Sequence, residues 1–71
     1  MGTDPMTALK ADGLERRAAL RETHAQDAEE RARGYGGRSP LYFEALEKSE
    51  EYQQEARELR AEAAQLRRSA S

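Results

Sequence analysis

The sequence predicts an all-α antiparallel two-helix hairpin, coiled-coil-like with an alanine-rich seam, and three observations carry that prediction. Two long runs of helix-forming residues are separated by one strong break, Arg33-Gly34-Tyr35-Gly36-Gly37-Arg38-Ser39-Pro40. In both runs, small and apolar residues recur at alternating steps of three and four, the spacing of a heptad seam. The charges beside the two seams are largely opposite in sign once the helices are laid antiparallel.

Composition sets the outer bounds. With 71 residues, 37% charged and 37% hydrophobic, the chain allows one small domain, and periodicity must separate a coiled coil from disorder. There is no cysteine and a single histidine, so a disulfide framework and the usual nitrogen and sulfur ligands of zinc are missing; no metal and no cofactor are expected. Twelve basic residues stand against 14 acidic ones, a formal net charge of -2, and the signs are interspersed. That balance argues against non-specific attraction to phosphate backbones or anionic membranes. No apolar run approaches the ~18 residues of a membrane span, and no signal-peptide core is present, so the cytoplasm is the expected compartment. Met1–Pro5 reads as a cloning remnant, with Met6 as the native start.

In chain order, the first helix is expected over about residues 6–33. It has two candidate starts: Pro5 at the first helical position with Asp4 as N-cap, or the capping-box spacing Asp12-Gly13-Leu14-Glu15. Gly13 leaves open whether residues 6–12 are helical. Nothing interrupts Leu14–Arg33, and Gly34 is expected to supply a left-handed stop before a turn over 34–39. Ser39 as N-cap and Pro40 at the first position open the second helix, expected to continue to about residue 68.

The seam of the second helix is Tyr42, Ala45, Ser49, Tyr52, Ala56, Leu59, Ala63, Leu66 and Ala70. That of the first is Ala11, Leu14, Ala18, Arg21, Ala25, Ala28, Ala32 and Tyr35, with alanine at every a position. Folding back through a short turn pairs Tyr35 with Tyr42, Ala28 with Ser49, Ala25 with Tyr52, Arg21 with Ala56, Ala18 with Leu59 and Leu14 with Ala63. Most layers set a small residue against a large one, as an interdigitated core requires. On one flank Glu15, Glu22 and Glu29 face Leu46, Gln53, Arg60 and Arg67. On the other, Lys10, Arg17, His24 and Arg31 face Lys48, Glu55 and Glu62. Below ~70 to 80 residues a single core rarely supplies more than ~3 to 5 kcal/mol, so the hairpin is expected to dimerise into a four-helix bundle.

No constellation carries chemistry. His24, expected near Glu55, lacks a nucleophile or second histidine, and the carboxylates Glu29-Glu30 and Glu47–Glu51 lack an inward Glu-x-x-His pattern; both read as solvated flank residues. Arg21, at a d position, is expected to lay its stem along the seam and reach a carboxylate at the edge. Arg16, Arg17, Arg57, Arg60, Arg67 and Arg68 lie towards the open end and are the candidate contacts for nucleic acid, interleaved with Glu55, Glu58 and Glu62. The remaining candidates are apolar residues the seam does not use. Leu41, Phe43 and Leu46 with Tyr35 and Tyr42 cluster near the turn, and Leu20 lies further along; together they are the candidate partner-binding surface.

The small-at-a, large-at-d seam resembles that of the Rop family of plasmid copy-number regulators, helical hairpins whose dimers bind RNA loops; the resemblance is confined to that periodicity. It implies, as an alternative, RNA or DNA binding through the arginines. The expectation drawn from the residues themselves is a small non-catalytic protein–protein interaction module, an adaptor, regulator or assembly factor. It would act through bundle faces and the apolar turn end, with a second copy of the chain and a protein partner as ligands.

Overall fold

The computed structural model describes residues 4–70, the last of them by its backbone alone. The cloning-remnant reading of Met1–Pro5 falls in part outside the described residues, and the seam position given to the Ala70 side chain lies outside them. Two helices of 31 residues each, α1 (Pro5–Tyr35) and α2 (Pro40–Ala70), pack side by side as the expected all-α hairpin. The result is a rod of 56 × 13 × 10 Å.

The start of α1 is settled by its cap. Asp4 Oδ1 accepts from the Met6 amide at 3.1 Å, Oδ2 accepts from the Thr7 hydroxyl at 3.4 Å, and Pro5 at the first position has no N–H to satisfy. The helix then runs through Asp12 and Gly13 without a break, so residues 6–12 are helical.

The end of α1 differs from expectation. Gly34 is not the stop: the helix continues through it to Tyr35, and Gly36 turns the chain with φ 78° and ψ 151°. A glycine inside a helix costs only about 1 kcal/mol relative to alanine, too little to end one that is held by packing. Reversing the chain, by contrast, demands a backbone conformation essentially confined to glycine, and Gly36 provides it. The turn is therefore 36–39 rather than 34–39. It closes with the Ser39 amide donating to the Gly36 carbonyl at 3.3 Å. Ser39 then caps α2, its hydroxyl accepting from the Leu41 amide at 3.2 Å, and α2 extends two residues past the expected 68.

The seam between the helices is built from small side chains. Ala11, Ala18, Ala25, Ala28, Ala32, Ala56 and Ala63 are at most 3% exposed, and Ser49 is 2% exposed. The larger d residues Leu14, Tyr52, Leu59 and Leu66 are only half-buried, and among the described residues no large side chain is fully buried. Alanine lets the axes close up, so a leucine or tyrosine at d is too long for the gap and lies along the flank. A two-helix layer has no third element to cover it there. The accessible surface of 5433 Å² accordingly exceeds the about 4,500 Å² of a compact monomer of 8.0 kDa.

Contacts across the flank fix the register. Glu29 with Gln53 at 3.0 Å, Glu22 with Arg60 at 2.6 Å and Glu15 with Arg67 at 3.0 Å follow one another at heptad steps on both helices. This is the antiparallel register the sequence predicts.

Candidate interaction surface

The two flanks of the hairpin are chemically unlike. The flank carrying Glu15, Glu22 and Glu29 is closed by polar contacts. Arg60 forms a fork with Glu22, Nη1 to Oε2 at 2.5 Å and Nη2 to Oε1 at 2.6 Å. Arg67 Nη2 bridges Asp12 at 2.8 Å and Glu15 at 3.0 Å. At the third step the buried Ser49 hydroxyl donates to Glu29 Oε1 at 3.1 Å, while Gln53 Nε2 donates to the same carboxylate oxygen at 3.0 Å and to Ser49 at 3.1 Å. Serine at an otherwise alanine-type seam position was the signal for this network, because a buried hydroxyl must find a partner.

These pairs are half-exposed and each stabilises little, but they leave an electrostatic signature. The hydrogen bond from Arg60, then its charge, holds the Glu22 carboxyl below its ordinary value of 4.5 against an opposing desolvation. The bond to Glu22 raises Arg60, and bonds first to Asp12 and then to Glu15 raise Arg67, so both stay protonated more firmly than usual. A depressed carboxylate contributes stability that is complete above its unfolded pKa and is lost as the pH falls through the lower folded value. The melting temperature should therefore drop below pH 4.5, and Glu22→Gln should flatten that acid limb. An unchanged limb in a pH series of thermal melts would mean the fork adds nothing.

The opposite flank is open. Beside the turn lies a groove of about 590 Å³ lined by Tyr35, Leu41 and Tyr52 with Ala28 and Ala45 at its floor, edged by Arg31 from α1 and by Glu44, Glu47, Lys48 and Glu51 from α2. Further along the same flank is a second groove of about 270 Å³, where Leu20 and Leu59 are edged by Arg17 and Arg21 from α1 and Glu55, Glu58 and Glu62 from α2. Arg21, on the edge of the second groove, does as its d position predicts: Nε pairs with Glu55 Oε2 at 2.9 Å, and the guanidinium carbon stands 5.8 Å from the Tyr52 ring centroid. The ion-pair partner of Glu55 is thus Arg21, which also lies beside His24. His24 packs its ring 5.2 Å from Tyr52, and Nδ1 lies 3.4 Å from Arg21 Nη1, the guanidinium being the donor.

The apolar candidates are thus divided between places. Tyr35 and Leu41, 44% and 50% exposed, belong to the first groove, and Leu20, 54% exposed, to the second. Tyr42 and Phe43 meet edge to face with centroids 5.3 Å apart, and Phe43 is 58% exposed. Leu46 is half-buried and lines neither groove. Tyr52, assigned to the seam alone, turns out to belong to the open flank as well, since a tyrosine is too long for a seam that alanines close.

The arginine end is partly occupied. Besides Arg60 and Arg67, Arg57 donates to Gln54 at 3.1 Å and Arg16 Nε donates to the Asp12 carbonyl at 3.4 Å. Arg17 faces the second groove, and Arg68 also has a partner. Among the described residues no group of three or more His, Asp or Glu side chains is placed to hold a metal ion, and no helix is long and apolar enough to cross a membrane. Searches of protein-family models, of curated proteins and of solved structures find no match to this chain.

Proposed function

We propose that this hairpin is a small non-catalytic protein–protein interaction module that works through its open flank and its apolar turn end. The observation that supports this most is the mismatch between seam and surface. Among the described residues the seam buries only alanines and one serine, while Met6, Leu9, Leu20, Tyr35, Leu41 and Phe43 remain 44% to 61% exposed. Of these, Tyr35 and Leu41 gather in the groove beside the turn, and clustered exposed apolar and aromatic side chains mark association surfaces. Regulator, adaptor and assembly factor are all roles such a module fills in the cytoplasm.

The nucleic-acid alternative draws on the arginines, and two of these are held in ion pairs across the closed flank. Arg60 and Arg67 are neutralised by Glu22, Asp12 and Glu15, which leaves a broken basic stripe for phosphates to follow.

Exchanging Leu41 and Phe43 together for serine should leave the helical circular dichroism unchanged and weaken association by at least about tenfold, the equivalent of 1.4 kcal/mol. Sedimentation equilibrium over a concentration series measures this, and equal association of both proteins removes the turn end from the interface. Labelled RNA retained at modest concentration and released steeply by salt would replace the protein-binding reading with the nucleic-acid one.

A further inference from the structure

We infer that the partner of the open flank is a second copy of this chain, stacked face to face with both turns at the same end. The inference rests on reading the hairpin as an association module, and charge complementarity selects the occupant and its orientation. Around the two grooves, the charged residues contributed by α1 are three arginines, whereas α2 contributes six glutamates and one lysine. The face is therefore a basic edge and an acidic edge with apolar material between them. Among the described residues Arg17 and Arg31 take part in no ion pair, nor do Glu44, Glu47 and Glu62. Those charges are available to a partner.

A flat hairpin can cover this face with its own copy in two symmetric ways. A two-fold axis along the rod sets α1 of each copy over α2 of the other and brings both turns to one end. An in-plane axis across the rod sets α1 over α1 and α2 over α2, with turns at opposite ends. The first lays arginines over glutamates on both edges, and Arg17 then stands level with Glu58 and Glu62 of the copy. The second lays like charges over like, which opposes association. The first also brings the Tyr35–Leu41–Tyr52 grooves of both copies together, so their apolar linings cover each other. The face measures 56 by 13 Å, about 700 Å² in projection and close to the ~800 Å² per partner of a stable interface.

The chain has no cysteine, so Arg38→Cys in the exposed turn accepts a single spin label. Sedimentation gives the mass, and pulsed electron paramagnetic resonance gives the distance between labels. The expected result is a dimer with the labels under about 25 Å apart, set by the ~8 to 10 Å spacing of packed helices plus the label arms. A dimer with labels about 50 Å apart, roughly one helix length, overturns this arrangement and leaves the association reading standing. A monomer at every concentration overturns the second copy as partner, and if that monomer also melts cooperatively the association reading falls with it. As a further check, Glu58→Lys with Glu62→Lys should weaken the dimer at least tenfold without loss of helicity, and undiminished dimerisation overturns the proposed pairing of edges.

Discussion

Ala63→Leu should destabilise the hairpin by about 1 to 3 kcal/mol, the cost of forcing extra methylenes into a packed core. Ala63 is 0% exposed and, in the register fixed by the flank contacts, stands opposite Leu14 near the open end. Two residues away, Ala61 is exposed on the same helix. Leucine and alanine have similar helix propensities, so Ala61→Leu should change stability by no more than a few tenths of a kcal/mol. The pair isolates packing from propensity. Against a total of about 3 to 5 kcal/mol for a core this size, the loss at Ala63 is a large share of the stability. Urea unfolding of the two variants at one fixed protein concentration, followed by helical circular dichroism, measures the difference. Equal midpoints would mean that the helices do not meet through their alanines and that the seam assignment is wrong.

Much of this architecture was legible in the sequence because it depends on spacing. Alanine at Ala11, Ala18, Ala25 and Ala32 announces a heptad a row, and the structure buries all four. The charges of Glu15 and Glu22 against Arg67 and Arg60 predicted an antiparallel flank, and the ion pairs form at those steps. The extent of burial was less legible. Leu59 and Tyr52 sit at seam positions by spacing, yet both are only half-buried, because coverage depends on what lies beyond the second helix as well as on periodicity. For the same reason the apolar candidates near the turn do not form one patch. Residues close in sequence point to different sides of a helix, so Leu41 lines a groove while Phe43 packs on Tyr42. The open flank itself was visible only in outline. The contrast between a basic α1 edge and an acidic α2 edge was present in the letters, but a groove requires knowing how far Tyr52 is pushed out of the seam.

The glycines were read least well, and they give the second large effect. Gly36→Ala should destabilise by about 1 to 3 kcal/mol, because φ 78° with ψ 151° lies where residues other than glycine are essentially absent. Space is not the obstacle, since a Cβ built at Gly36 meets nothing within 4 Å. Gly34 should respond with the opposite sign. It is helical, it too has open space for a Cβ, and alanine there removes unfolded-state entropy without strain. Gly34→Ala should therefore stabilise by about 0.5 to 1 kcal/mol, a melting temperature higher by roughly 2 to 8 °C for a domain this small. Opposite shifts in thermal melts of the two variants place the chain reversal at Gly36. Were Gly34→Ala the damaging change and Gly36→Ala the neutral one, the helix would stop two residues earlier. The shorter helix and longer turn implied by the sequence alone would then be correct, and Tyr35 would leave the wall of the groove.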